Sequence, residues 1–276
     1  LLMQICIGLA FCSGNLLIGV GAGSLGACLA YNLEAVCWAW VAVQRRQVFP
    51  IWLSLALVVL AGLVAPAAFA DPAALSQAEP LLVAFAGVVG LSYCLGPFLF
   101  AVLLVRGKER LGLPDDALAN ALLLWSFVLW LGGGMLVIFN MVPGALLDDW
   151  GGGLALLFLG LSFALARLGS QRLAWKFMDS LCDGLGPILA LVALGQLRSV
   201  IVLGEEVSAL AVFGNSLGWL VSLGISYSLL SSREGQMDPG FRRWQHCLGA
   251  WLVGCMGVLL AYQGLSLVVP AQTTWL

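Results

Sequence analysis

Charged side chains are scarce in this sequence. Asp, Glu, Lys and Arg together make up 9% of its 276 residues, whereas 62% are hydrophobic and the mean hydropathy is +1.03. Ordinary soluble domains carry roughly 25% charged residues. Because so few charges cannot cover a water-exposed surface, most of the outer surface must face lipid.

Histidine is almost missing, and cysteine pairs are missing altogether. His246 is the single histidine, which excludes a multi-histidine metal site and a haem held by two histidines. It also excludes a Ser/His/Asp triad, because most of the acidic residues are predicted on the opposite side of the membrane. The eight cysteines form no C-x-x-C pair and are interpreted as small buried hydrophobes. We therefore expect no metal and no cofactor. The chain also lacks a basic stripe, so nucleic acid is not an expected partner.

Long apolar runs are abundant. They recur with a length of about 20 residues, which spans the hydrocarbon core of a bilayer as a helix. The 34 glycines fit close helix packing in a membrane. The sequence therefore predicts an all-α, polytopic transmembrane helix bundle of about nine spans. The predicted spans are approximately 2–21, 26–44, 50–70, 81–105, 117–139, 153–168, 180–197, 207–230 and 246–268. Whether residues 1–44 form one span or two is left open, with Gly19–Gly26 as the natural turn.

Basic residues alternate along the chain with the predicted spans. Eleven of the twelve Lys and Arg residues follow even-numbered spans, and Arg198 is the exception. The eleven are Arg45, Arg46, Arg106, Lys108, Arg110, Arg167, Arg172, Lys176, Arg233, Arg242 and Arg243. Since cytoplasmic loops collect Lys and Arg, this pattern predicts a multi-pass protein with a cytoplasmic N-terminus and an external C-terminus.

Two polar residues stand out within the first spans, Asn15 and Glu34. A carboxylate inside a span is costly, so Glu34 is expected to handle protons, to contact another subunit, or to mark the outer end of a shorter span. The small-residue run from Gly19 to Ala27 would let another helix approach closely. Residues 1–70 are therefore predicted to contact other protein, either further membrane protein subunits or the later spans of the same chain.

Three further features have structural interpretations. Asp179 and Asp183 lie four residues apart and are interpreted as helix N-terminal charges, with Lys176 as the ion-pair partner. His246, just after Arg242 and Arg243, is interpreted as an interfacial side chain. The spacings Gly19-x-x-x-Gly23 and Gly214-x-x-x-Gly218 predict flat faces for helix contact.

A series of short stretches, in order, resembles the motifs of one family of membrane enzymes. They are residues 90–101 (GLSYCLGPFLFA), Gly132–Gly134 followed by residues 137–140 (VIFN), Gly151–Gly153, and Pro187, Gly195, Gln196, Leu197, Gly204 and Glu205. On these residues the chain, from about residue 87 onward, resembles the prolipoprotein diacylglyceryl transferase family. That family moves diacylglycerol from phosphatidylglycerol to the cysteine thiol of a secreted prelipoprotein. The resemblance implies a bacterial cytoplasmic (inner) membrane location and a periplasmic C-terminus.

The resemblance also shows where this chain departs from the family. Gly134 and Gln196 stand where the family has arginines, Ser199 stands where it has an asparagine, and Leu157 or Phe158 stands where it has a histidine. Residues 87–90 (GVVG) replace a His-Trp-Tyr-Gly stretch, and only Glu205 is retained. Because the reaction needs cations around the lipid phosphate, these replacements predict a protein without catalysis.

The sequence thus predicts an N-terminal transmembrane extension, residues 1–80, with about three spans, and a transferase-like domain, residues 81–276, with about six. The favoured function is a phospholipid-binding or structural subunit of a larger membrane assembly, with phosphatidylglycerol as the candidate lipid. Arg198, Glu205 and Gln196 are the candidate lipid-binding residues. One alternative is an active transferase with a site rearranged around Arg198 and Glu205. Another is a carrier or proton-conducting subunit that uses Glu34.

Overall fold

The computed structural model describes residues 23–68, 80–141, 144–198 and 208–268. These residues form α-helices, short 3-10 turns and brief connections, with no strand among them. The helices are α1 (Gly23–Arg45), α2 (Phe49–Ala68), α3 (Pro80–Leu111), α4 (Ala117–Met141), α5 (Gly144–Leu173), α6 (Lys176–Leu181), α7 (Leu185–Leu197), α8 (Ala209–Arg233) and α9 (Pro239–Val268). The 3-10 turns are Cys182–Gly184 and Glu234–Gln236.

Seven segments of the described residues are long and apolar enough to cross a membrane. They are Gly26–Arg45, Gly87–Leu111, Ala117–Phe139, Trp150–Leu173, Lys176–Leu197, Ala209–Arg233 and Pro239–Leu265. A shorter apolar helical segment, Phe49–Val64, lies in α2. The predicted helical membrane bundle is therefore confirmed. The count of nine spans stays a prediction, because the first predicted span, 2–21, lies outside the described residues.

Several helices are longer than the spans predicted for them. α3 continues to Leu111, so Arg106, Lys108 and Arg110 belong to its last turns rather than to a loop. α5 begins at Gly144, so Gly151–Gly153 lie inside this helix and do not open it. The reason is that a helix keeps its backbone hydrogen bonds beyond the apolar core, where charged side chains reach water.

Three helices end in the same way. Arg46, Gly112 and Ala174 follow α1, α3 and α5, with positive φ angles of 54°, 64° and 51°. In each case the next backbone N–H bonds the carbonyl five residues earlier, at Ala42, Lys108 and Ser170. This pattern is the Schellman motif, which satisfies carbonyls that a helix end leaves free. The left-handed residue turns the chain sharply, so the connections to α2, α4 and α6 are short.

The chain divides into two compact units, Leu1–Gly133 and Gly134–Leu276. In the first unit, α1 packs against α2 and α3. Glycines in α3 allow this approach: a Cβ at Gly107 would lie 2.6 Å from Val43 Cγ2, and one at Gly96 would lie 3.0 Å from Asn32 Oδ1. Asn32 is buried and donates from Nδ2 to the carbonyl of Cys28 at 2.9 Å. Ser126 of α4 donates to the carbonyl of Cys94 in α3 at 2.6 Å.

In the second unit, α5 and α8 form the main helix pair, and α9 packs against α7 and α8. Glycines of α5 and α8 interlock, because a Cβ at Gly153 would overlap the carbonyl of Gly214, and one at Gly218 would lie 2.7 Å from the carbonyl oxygen of Gly153. Ser222 of α8 contacts α5 in the same interface by donating to the carbonyl of Leu156 at 2.6 Å. The helix-contact face predicted from Gly214 and Gly218 is therefore confirmed. The face predicted from Gly19 lies outside the described residues.

Candidate functional site

Two arginines and two aspartates meet at one end of the second unit. Arg167 of α5 pairs through Nη1 with Asp179 Oδ1 of α6. Arg233, the last residue of α8, places Nε 3.2 Å from Asp179 Oδ2 and Nη1 2.6 Å from Asp183 Oδ2. Arg233 Nη1 also donates to the backbone carbonyl of Asp179 at 2.8 Å. These four residues, named the ion cluster below, therefore join α5, α6, the Cys182–Gly184 turn and α8.

Neutral side chains complete the ion cluster. Ser170 Oγ lies 3.1 Å from Asp179 Oδ1, and Gln245 of α9 donates to the carbonyl of Asp183 at 3.2 Å. The four charged side chains are only 13–21% exposed. Since two positive charges meet two negative ones, the cluster is formally neutral, which is the condition under which charges are tolerated away from water.

The ion cluster corrects one sequence-based interpretation. Asp179 was expected to place negative charge and a cap at a helix N-terminus and to pair with Lys176. It does lie in the first turn of α6, as expected. However, α6 follows Trp175 without a side-chain cap, and Asp179 pairs with Arg167 and Arg233. The reason is that Lys176 is exposed to solvent, whereas the two arginines come from helices that enclose Asp179. The sequence alone did not predict that Arg167 and Arg233 pair with these aspartates. The available signal was a pair of acids four residues apart together with basic residues near the ends of other helices.

Two of the positions that the resemblance assigns to charged groups face each other. A Cβ added at Gly134, in α4, would overlap the ring of Phe158, in α5. Gly134 matches a family arginine, and Phe158 is one of two matches to the family histidine. The structure thus brings these two positions together. Phe158 contributes an aromatic ring to the contact and Gly134 only a hydrogen atom.

Of the other predicted site residues, Gln196 and Arg198 lie in the described part of the chain. Gln196, in α7, accepts a hydrogen bond from Trp219 Nε1 of α8 at 2.8 Å. Arg198 follows α7 directly and is exposed. Ser199 and Glu205 lie outside the described residues. Among the described residues, the contact between Gly134 and Phe158 joins two of the matching positions, and Gln196 is bonded to Trp219.

Glu34 lies near the middle of α1, as predicted. Its Oε1 accepts a hydrogen bond from Trp38 Nε1, one turn along the same helix, at 3.0 Å. The carboxylate is half-buried. Asn15 lies outside the described residues. Ala27, from the predicted small-residue face, is buried within the first unit, so packing inside the chain accounts for part of that face.

His246 lies in the second turn of α9, where its Nε2 is 3.4 Å from Glu234 Oε1 and its side chain is exposed. This position agrees with the interfacial interpretation. No group of three or more His, Cys, Asp or Glu residues that could hold a metal ion occurs in residues 23–68, 80–141, 144–198 and 208–268.

No protein-family model, curated protein or solved structure matches this chain.

Proposed function

We propose that this protein is a non-catalytic relative of the prolipoprotein diacylglyceryl transferases that binds phospholipid within a larger membrane assembly. The observation that carries the proposal is the contact between Gly134 and Phe158. The resemblance assigns an arginine to Gly134 and a histidine to Leu157 or Phe158. Their meeting in space supports the resemblance, and their replacement by a hydrogen atom and an aromatic ring supports the loss of catalysis.

The chemistry of the transfer explains why these replacements matter. The phosphate that leaves the diacylglycerol carries negative charge, and the attacking thiol must lose its proton. Preorganised cations or hydrogen-bond donors stabilise such charge in a dry site, and losing one typically lowers the rate on the order of a hundredfold or more. Gln196 is neutral and already accepts a hydrogen bond from Trp219. Neither Gly134 nor Phe158 supplies a cation.

The proposed setting is the bacterial inner membrane, with the basic helix ends in the cytoplasm. The ion cluster supports a shared side for these ends within the second unit, because Arg167 and Arg233 meet there through Asp179. Phosphatidylglycerol is the proposed lipid. Residues 1–70 are proposed to contact other subunits, with Glu34 and Asn15 as their intramembrane polar groups.

A transfer assay tests the absence of catalysis. The purified full chain is incubated with radiolabelled phosphatidylglycerol and a lipobox peptide, beside an active member of the transferase family. We expect label on the peptide with the active enzyme and none above background with this chain. Transfer that Arg198→Gln abolishes would overturn the proposal in favour of a rearranged site. Proton flux in vesicles that Glu34→Gln abolishes would instead favour a carrier.

A further inference from the structure

An open groove of about 280 Å³ lies between α8 and α9. Leu223, Ser226 and Tyr227 line it from α8, and Gln245, His246 and Gly249 line it from α9. We name it the α8–α9 groove. Because α8 and α9 run in opposite directions on either side of a short connection, Gln245 and His246 mark the end of the groove near that connection, where Leu230 also lines it. The lining from Leu223 and Val253 is apolar and lies farther from it.

Unpaired arginines lie beside the polar end of the groove. Arg242 and Arg243 are in the first turns of α9, one turn before His246. Among the described residues, neither arginine has an ion-pair partner.

The nearby carboxylates are already engaged. Glu234 lies 3.4 Å from His246, and Asp238 accepts hydrogen bonds from the backbone N–H groups of Gly240 and Phe241 at 2.9 and 3.3 Å. Neither carboxylate forms an ion pair with Arg242 or Arg243, so both guanidinium groups are open to a ligand anion beside the groove.

We propose that the α8–α9 groove holds one acyl chain of an anionic phospholipid, whose phosphate contacts Arg242 and Arg243. This inference rests on the phospholipid binding proposed above and names its place. The groove is slightly smaller than ordinary ligand pockets of roughly 300–1,000 Å³, which suits a single chain rather than a whole diacyl lipid. Arginine binds phosphate through paired N–H donors, and Lys and Arg next to a span attract anionic headgroups.

Amphipathic aromatic residues support a lipid occupant at this level. Tyr227, at the edge of the groove, is 69% exposed, and Trp244 is 49% exposed. Trp244 stacks on Phe241 with ring centroids 5.8 Å apart. Tyrosine and tryptophan concentrate where the bilayer core meets the headgroups. The groove would thus place its polar end at headgroup level and its apolar lining along the acyl chain.

Gly249 offers a direct test, because a Cβ added there meets no atom within 4 Å. A leucine at this position would fill the groove without displacing its walls. Gly257 gives a matched control on the same helix, since a Cβ there also meets nothing within 4 Å and Gly257 does not line the groove. The full chain, delipidated in detergent, is titrated with phosphatidylglycerol or phosphatidylcholine and followed by native mass spectrometry.

We expect wild type and Gly257→Leu to bind phosphatidylglycerol more tightly than phosphatidylcholine. Gly249→Leu should weaken phosphatidylglycerol binding by about tenfold, the effect of losing contact with roughly two methylene groups. The double variant Arg242→Gln, Arg243→Gln should bind the two lipids equally. If Gly249→Leu fails to fold, Ala250→Leu fills the groove from the next position, with the same expectations.

The possible failures are distinct. If Gly249→Leu binds phosphatidylglycerol as wild type does, the groove assignment is overturned and the proposed lipid-binding function stands. A wild type that binds neither lipid overturns both. A change in oligomer size with unchanged lipid binding would show that a second copy fills the groove, which also overturns the assignment. If the chain transfers lipid to a lipobox peptide and Gly249→Leu retains that activity, only the proposed absence of catalysis is overturned.

Discussion

Charged side chains that are mostly shielded from water need partners, and Arg233 has the most. Its guanidinium contacts Asp179 and Asp183 and donates to the Asp179 carbonyl, while its side chain is only 13% exposed. Two carboxylates thus pair with one cation, and Arg167 forms a direct ion pair only with Asp179. Removal of Arg233 would leave Asp183 without an ion-pair partner, which is costlier than removal of a whole pair.

Arg233→Met is therefore expected to destabilise the protein by about 3 kcal/mol, the lower end of the cost of breaking a buried ion pair. Loss of stability should appear as a fall of several degrees in the melting temperature in mild detergent, followed by tryptophan fluorescence. Arg172→Met is the matched control, because Arg172 is exposed and has no ion-pair partner among the described residues. Its melting temperature should stay close to that of wild type.

A second variant separates lost pairing from lost packing. Arg233→Met combined with Asp183→Leu removes both the cation and the carboxylate that depends on it, so the double variant should recover part of the lost stability. If the double variant is less stable than Arg233→Met alone, or if Arg172→Met is equally destabilising, the ion cluster does not have the role described for it.

The sequence indicated the acids of this cluster but not their partners. A spacing of four residues places Asp179 and Asp183 on one face of a helical segment, and such a spacing says nothing about which other helices approach that face. Arg167 lies 12 positions before Asp179 and Arg233 lies 54 positions after it, so only tertiary packing brings them together. Lys176 was the nearest basic residue in sequence, which is why it was predicted instead.

At the scale of helices, the pair of α5 and α8 depends on the absence of side chains. Gly153 and Gly218 put the two backbones in contact, and in a bilayer such close packing replaces the hydrophobic driving force that lipid cannot supply. Asn215 also lies in the α5–α8 interface, since a Cβ at Gly152 would overlap its Oδ1. The interface therefore tolerates little added volume on either helix.

Gly218→Ala is expected to destabilise the helix pair by about 1–3 kcal/mol, the usual cost of overpacking. The added Cβ would lie 2.7 Å from the carbonyl oxygen and 2.9 Å from the Cα of Gly153, and backbone atoms cannot move aside as a flexible side chain can. Gly224→Ala on the same helix meets nothing within 4 Å and should leave stability unchanged or slightly higher, since alanine favours helix. Melting temperatures of both variants would test this, and equal destabilisation would contradict it.

The helices could be predicted from the sequence because their apolar runs are long. The residues at which the helices end were harder to predict. The runs predicted helices at every described span, yet α3 and α5 extend through charged and glycine-rich residues that were expected to form loops. Apolar periodicity and length register only the part of a helix that lies in lipid. Arg46 and Ala174 end helices with positive φ, a conformation that their residue types do not favour, so no sequence signal marked these two ends.

For the whole molecule, the strongest pattern is the separation of charge along the chain. Segments 106–116 and 231–243 carry basic residues, whereas 71–80 and 144–150 carry acidic residues and no basic ones. The described helices connect these segments in the order that the predicted spans require. Because Lys and Arg resist translocation, the basic segments are proposed to stay in the cytoplasm.

Single cysteines can test this topology at positions that the structure exposes. Pro114→Cys and Gly235→Cys lie at exposed positions in the basic segments, and Ser208→Cys precedes α8 on the proposed outer side. With Cys37 and Cys247, the exposed thiols of the described residues, replaced by serine, a membrane-impermeant maleimide applied to intact cells should label only Ser208→Cys above background. Pro114→Cys and Gly235→Cys should react only after the membrane is opened, because their connections lie inside. Labelling of all three from outside would refute the proposed orientation, and labelling of Pro114→Cys and Gly235→Cys alone would reverse it.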